Sequence, residues 1–258
     1  MLDRRILKNR AYVVMNTLNI SSEATFKQNP ELALKRYHEV GYHVEPNLWA
    51  AQECDNLIEA AKNLPTYQDG SFKSFLQAHR IEPKFLAALK NPRIVRILEL
   101  LVNGKVSAIQ SQFFFCRPGT RGFVRHQDNY YVQSSWDGFA SAWSALTDVD
   151  PGNGGLVVYP KVHLEPILPV EPVAYPDSSS GDPNTVSQQT VLPDRYESVD
   201  LYVPKGAVVF LHGHNVHKSH NNTTQDRFRQ ALLMTYIRQG EKFRPGFAAQ
   251  RAEVNVYG

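Results

Sequence analysis

Val106-Ser107-Ala108-Ile109-Gln110-Ser111-Gln112-Phe113-Phe114-Phe115-Cys116-Arg117-Pro118-Gly119 is the stretch at which this chain changes character. A mostly apolar run ends in a Pro-Gly turn, which reads as a strand and a reversal. The same grammar then repeats. Apolar or alternating runs at 138–148, 155–159, 201–203, 207–211 and 231–237 are separated by Asp150-Pro151-Gly152-Asn153-Gly154-Gly155 and Pro204-Lys205-Gly206. Short strands with frequent turns predict a sandwich or jelly roll over 105–258. Upstream, the pattern is helical. Asn29-Pro30 precedes a segment at 31–40 that Gly41 can end, Pro65 stops a second at 50–64, and two more flank Asn91-Pro92 within 83–101. Tyr42-His43-Val44 reads as a short strand. Residues 166–200, rich in Pro, Ser and Asp, read as a long excursion that could close as a lid.

The chain has 258 residues, 42% hydrophobic and 21% charged, which describes an ordinary globular protein and lets residues 1–258 form one domain. A net charge of +3 argues for neither a nucleic-acid nor a membrane partner. Cys54 and Cys116 are the only cysteines, so neither a disulfide framework nor a Cys-rich zinc site is available. The apolar stretches of residues 1–20 are too short for a signal peptide, and the C-terminal residues are not a peroxisomal tripeptide. A cytoplasmic setting is the expectation.

His126-Gln127-Asp128 follows the first strand and its turn, and His217 follows the strand that begins at Gly206. On a strand, residues i and i+2 share a face, so His126 and Asp128 would project together. Two imidazoles and one carboxylate form the facial set that suits non-haem Fe(II) and leave three coordination positions open. These can take a chelating co-substrate and O2. If that co-substrate is 2-oxoglutarate, its remote carboxylate needs a buried cation, and Arg229 opens the strand run at 231–237. Ser219, two residues after His217, can satisfy a further lone pair, and Trp143 can wall the carbon chain. His212 and His214 compete with His217, but only His217 has Ser219 and Arg229 at the required offsets. Arg227 competes with Arg229.

At these residues the chain resembles the phytanoyl-CoA dioxygenase family of Fe(II)/2-oxoglutarate oxygenases. The resemblance runs from Tyr37-His38-Glu39-Val40-Gly41-Tyr42-His43-Val44 and Glu53-Cys54-Asp55 through His126-Gln127-Asp128 and Ala142-Trp143-Ser144-Ala145-Leu146. It continues in Asn153-Gly154-Gly155-Leu156 to Pro160-Lys161-Val162-His163, and in His217-Lys218-Ser219, Asn222 and Arg229-Gln230-Ala231. It implies a mainly β double-stranded β-helix (jelly roll, cupin-like) braced by α-helices from 1–104. By that similarity His126, Asp128 and His217 hold iron, Ser219 and Arg229 hold the keto acid, and Trp143 and Phe113 line its pocket. Three departures touch loop geometry: Lys218 and Lys161-Val162 stand where the family has Gly and Gly-Ser, and one extra residue lies between His217 and Arg229. Lys73 is a candidate for a further basic contact.

The implied activity is hydroxylation of a small molecule with release of succinate and CO2. Desaturation, epimerisation or cyclisation can follow the same hydrogen abstraction, whereas halogenation would need the Asp128 position vacant. A non-catalytic jelly-roll binding protein and a metal-only cupin hydrolase or isomerase are the readings of other classes. For substrate contact, Asn129, Tyr130 and Tyr131 lead outward from Asp128, with alternation placing Tyr130 beside it, and Trp136 lies a few residues further on. The substrate itself is not legible.

Overall fold

Three of the helices begin by the same chemistry, an acceptor side chain followed by proline. Asn29, Glu82 and Asn91 accept from the backbone N–H of Leu32, Lys84 and Arg93, and Pro30, Pro83 and Pro92 occupy the first helical position, where no N–H is needed. In the computed structural model, which describes residues 24–173 and 188–258, the α-helices before residue 105 are α1 (Pro30–Val40), α2 (Ala51–Ala61), α3 (Pro65–Gln68), α4 (Pro83–Leu89) and α5 (Pro92–Leu101). Gly41 ends α1 in the left-handed conformation at φ 83°, and its N–H reaches the Tyr37 carbonyl. A side chain there would also strike the His163 ring, at 2.4 Å from the added Cβ.

The strands are β1 (Tyr42–Glu45), β2 (Phe75–Leu76), β3 (Val106–Phe114), β4 (His126–Gln127), β5 (Phe139–Ala145), β6 (Leu156–Tyr159), β7 (Val170–Pro172), β8 (Gln188–Thr190), β9 (Val199–Asp200), β10 (Val208–His212), β11 (Val216–Ser219), β12 (Ala231–Arg238) and β13 (Val254–Asn255). A large antiparallel sheet runs β1-β10-β5-β12-β3-β13, with β2 also paired to β3; a smaller one runs β4-β11-β6-β9. This is the expected double-stranded β-helix, braced by the N-terminal helices.

Alternation along the large sheet serves two cores. Val208 and Phe210 of β10, Ala140 and Ala142 of β5, and Leu232, Met234 and Tyr236 of β12 pack against the helices. Val209, Leu211, Trp143 and Ala145 face the other way and meet Leu156 and Val158 of the small sheet. On β3 the register against β12 shifts between Thr235 and Tyr236, which leaves Ile109 as an extra residue. Such a bulge reverses the facing of everything beyond it. Val106 and Ala108 therefore face the helices, and so does Phe113, whereas Gln110, Gln112 and Phe114 face the space between the sheets.

Three expectations change. Residues 201–203 form no strand; Val203 makes a single bridge with Val149, because one pair of bonds completes the turn around Pro204. The 166–200 excursion is partly ordered into sheet: β7 pairs with β8 and β9 pairs with β6. Its residues 174–187, like residues 1–23, lie outside the described residues, so the lid reading of that segment and the reading of 1–20 fall there. Lastly, β2 and β13 add to the edge of β3 without any run long enough to announce them.

Candidate active site

His126 is not on a long strand with Asp128. Only His126 and Gln127 pair as β4, and Asp128 starts a short helix, α6 (Asp128–Val132). The two side chains still converge, because the chain turns into the helix at that point. His217 on β11 lies directly opposite His126 in the antiparallel register. The two imidazole rings are 4.2 Å apart, centroid to centroid. Their Nε2 atoms stand 3.7 Å and 3.8 Å from Asp128 Oδ1. Among the described residues these three form the cluster whose potential ligand atoms lie within 4.8 Å of one another.

Neighbouring groups set each ligand's state. The Nδ1 of His126 donates to the Val124 carbonyl at 2.8 Å, and that of His217 to the Asn215 carbonyl at 3.3 Å. Each contact leaves Nε2 with its lone pair, the form a metal needs. Burial pushes His217 down to about 4, with help from His126, so it stays neutral. Burial alone would push Asp128 up, but the His217 and His126 rings, the Ser141 hydroxyl and Arg251 outweigh it and hold the carboxyl below its ordinary value. Ser141 donates to Oδ2 at 2.7 Å, which turns Oδ1 toward the imidazoles. Two neutral imidazoles and one carboxylate are the donor set of a 2-His-1-carboxylate facial triad and fit Fe(II).

A cavity of about 430 Å³ opens from the triad between the two sheets. At one end it is lined by Arg229, Ser219, Trp143 and Phe114. Arg229 is 2% exposed; its Nε donates to the Gly154 carbonyl at 3.1 Å. Its guanidinium lies 5.6 Å from the ring centres of both Phe114 and Trp143. No carboxylate among the described residues pairs with it. Gly154 is glycine for two reasons: φ is 97°, and a Cβ would sit 2.8 Å from Cys116 Sγ. Arg227, the competitor, is an exposed partner of Asp150 in a two-point ion pair. The loop with the extra residue is organised by Asn222, whose amide donates to the Cys116 and Arg227 carbonyls. Lys161 sits at φ 69°, a left-handed position where the family has glycine.

The remaining expected residues separate. Tyr131 lines the cavity, one helical turn on from Asp128. Tyr130 does not; it points to Gln188, a hydroxyl-to-amide contact of 3.2 Å, because α6 replaces the strand alternation that would have put it beside Asp128. Asn129 is buried and bonded to both backbone groups of Ser134, closing the end of α6. Trp136 donates to the His163 carbonyl at 2.7 Å and packs on His212. Phe113, behind the β3 bulge, packs between Phe85 and Phe115, and Phe114 takes the wall position. Lys73 is not among the lining residues. His212 and His214 lie away from the triad, with His163 and Trp136. Among residues not foreseen, Ser141 was within reach of the pattern, since it shares a face with Trp143 on one strand. Gln110, Thr235, Arg244 and Arg251, which also line the cavity, had no motif to mark them.

Among the described residues no helix is long and apolar enough to cross a membrane. The family model for phytanoyl-CoA dioxygenase (PhyH) matches residues 37–231. Phytanoyl-CoA dioxygenase 1 of Oryza sativa subsp. japonica is 26% identical over 169 residues, which is 65% of this chain and 56% of the rice protein. The peroxisomal phytanoyl-CoA dioxygenase of Rattus norvegicus is 30% identical over 151 residues, 56% of this chain and 43% of the rat protein. The chain thus spans about half the length of these relatives. Of solved structures, the α-ketoglutarate-dependent carbocyclase SnoK from nogalamycin biosynthesis superposes with a TM-score of 0.66 at 23% identity, covering 88% of each chain. The epimerase SnoN does so with a TM-score of 0.66 at 20% identity, covering 83% of this chain and 86% of its own. The cytoplasmic expectation is overturned by the rat, bovine and human relatives, which are peroxisomal enzymes; a compartment is an address read by a receptor, which composition does not carry. With the motif order, the jelly roll and the triad all in agreement, this chain belongs to the phytanoyl-CoA dioxygenase family.

Proposed function

We propose that the protein is an Fe(II)- and 2-oxoglutarate-dependent oxygenase that hydroxylates a small molecule, its helical layer and jelly roll acting as one domain. The observation that carries this reading is the pairing of the triad with Arg229, a buried guanidinium at one end of the same cavity with which no carboxylate among the described residues pairs. A cation in that position calls for an anionic ligand. His126, Asp128 and His217 would hold the iron, and Arg229 with Ser219 would hold the remote carboxylate of 2-oxoglutarate. When bound, iron and keto acid would supply reductive activation of O2, the keto acid being oxidised to succinate and CO2.

The chain's own residues do the rest. Ser141 and the carbonyls of Val124 and Asn215 fix the three ligands in their binding states. Phe114, Trp143, Phe123 and Leu156 exclude water around the Arg229 end, which strengthens the charge pair there. A metal-only hydrolase or isomerase would leave Arg229 without a task, and a non-catalytic jelly roll would need none of this set. Epimerisation and ring closure, reactions named for SnoN and SnoK, share the initial hydrogen abstraction, and product analysis separates them from hydroxylation.

The test is anaerobic titration of Fe(II)-loaded protein with 2-oxoglutarate, followed by admission of O2 and assay of succinate. Binding of both partners and slow succinate release without added substrate are expected. Protein that binds neither iron nor keto acid would be a jelly-roll binding module instead.

A further inference from the structure

The cavity continues past the triad, away from Arg229. Along β12 the inward residues run from Leu233 to Thr235, and Thr235 lies opposite both Gln110 of β3 and Ser141, the residue that holds Asp128. Arg229 lies just before β12, and six residues of extended chain, roughly 20 Å, separate it from Thr235. Thr235 marks a second end of the cavity, joined to the triad through Ser141.

This second end carries polar groups without partners. Gln110 and Thr235 are 6% and 3% exposed, and neither Gln110 Oε1 nor Thr235 Oγ1 has a hydrogen-bond partner. Arg251 joins them from the C-terminal segment. Its Nη1 donates to the carbonyls of Tyr131 (3.3 Å), Arg244 (3.3 Å) and Pro245 (3.5 Å), while its buried Nε has no partner. No carboxylate among the described residues pairs with Arg251 or with Arg244, a second cavity-lining arginine that is exposed at the rim. Asp128 is the acid that acts on Arg251 through space, and its charge is committed to the triad.

We propose that this end is the substrate subsite and that it recognises a carboxylate on the substrate through Arg251, with Gln110 and Thr235 bonding polar groups near the position to be oxidised. The inference rests on the oxygenase reading and names its substrate class. The choice of carboxylate follows from the donors left over. With Nη1 held by backbone carbonyls, the Nε/Nη2 edge remains, and its two parallel N–H bonds match the two oxygens of a planar carboxylate. Ordering by three carbonyls also means the edge is set before the ligand arrives, which lowers the entropic cost of binding. The apolar neighbours Leu76, Phe139 and Phe247 suit a carbon skeleton attached to that carboxylate.

The experiment compares para-fluorobenzoate with para-fluorobenzamide by fluorine NMR on protein loaded with Mn(II) and saturating 2-oxoglutarate, which occupies Arg229. Wild-type protein should bind the acid about tenfold or more tightly than the amide, the yield of one charge-assisted bond pair. Arg251→Gln should remove the preference, Arg251→Lys should keep part of it, and Arg227→Gln should leave it intact. Equal binding of acid and amide by wild-type protein, no binding of either, or a full preference in Arg251→Gln would overturn the proposal. Uptake of 2-oxoglutarate by the Mn(II)-loaded protein is measured first by water-proton relaxation. Its failure would sink the oxygenase reading, whereas normal uptake without an acid preference would sink only the carboxylate subsite.

Discussion

Two histidine clusters lie in this fold, and they are built from the same side chain to opposite ends. His126 and His217 meet around Asp128, with both Nδ1–H groups satisfied by backbone carbonyls and both Nε2 lone pairs facing the carboxylate. His163, His212 and His214 cluster against Trp136, and among the described residues no carboxylate joins them in a metal-binding group. There the His214 N–H donates to His212 Nδ1, so the proton sits on His212 Nε2. His163 Nε2 donates to the His38 carbonyl, which leaves its Nδ1 a bare acceptor. Those two nitrogens, one donor and one acceptor, have no hydrogen-bond partner. Burial and the neighbouring rings push His212 down to about 3. The lesson is that clustering of histidines does not by itself make a metal site. Fixed lone pairs that converge on one point are needed, and in the triad a carboxylate joins them.

That contrast breaks most directly at the carboxylate. Asp128→Ala should lower Fe(II) affinity by more than about a hundredfold, since loss of an outer partner alone costs ~10–100-fold, and should abolish turnover. His212→Ala should keep metal binding. Equilibrium dialysis with Fe(II) or Mn(II) reads both, and equal losses in the two variants would erase the distinction drawn between the clusters.

Next in size is the charge at the Arg229 end. Arg229→Ala should raise the Michaelis constant for 2-oxoglutarate by about a hundredfold or more with little change in iron affinity, because removing one partner of a buried ion pair costs about 3–5 kcal/mol. Arg227→Ala, which breaks an exposed pair with Asp150, should leave that constant unchanged. Steady-state succinate assays against keto-acid concentration decide between the two.

A smaller effect sharpens the role of the third ligand's support. Ser141→Ala removes the hydroxyl on Asp128 Oδ2 and should weaken metal binding about tenfold. Thermal unfolding of the metal-free protein should change far less. A large loss of stability with intact metal affinity would make Ser141 a packing residue instead.

The smallest effect concerns pH. Folded His212 titrates at about 3, below its ordinary value of 6.5. As pH falls through 6.5 the unfolded chain takes up a proton that the folded chain refuses, so stability drops until the folded value is reached. His212→Gln should therefore lose less stability than wild type between neutral pH and about pH 5 in urea titrations. Parallel declines in the two proteins would mean that His212 does not contribute to the acid limb.

Much of the molecule was legible from local chemistry. Asn-Pro and Glu-Pro pairs set helix starts, Pro-Gly turns separated the strands, and the chemistry was carried by His126 with Asp128 and His217 with Ser219, each pair two residues apart, and by Arg229 at the head of the next apolar run. What pattern alone could not reach depended on contacts made across the chain. The bulge at Ile109 exists only because β12 pairs with β3, and it moves Phe113 out of the cavity and Phe114 into it. Tyr131 faces the cavity and Tyr130 does not because Asp128 opens a helical turn. Arg251 becomes a cavity residue because a C-terminal segment folds back onto the end of α6. Strand facing, turn onset and long-range return are set by the partner each segment finds, and a linear sequence states the segment without stating the partner.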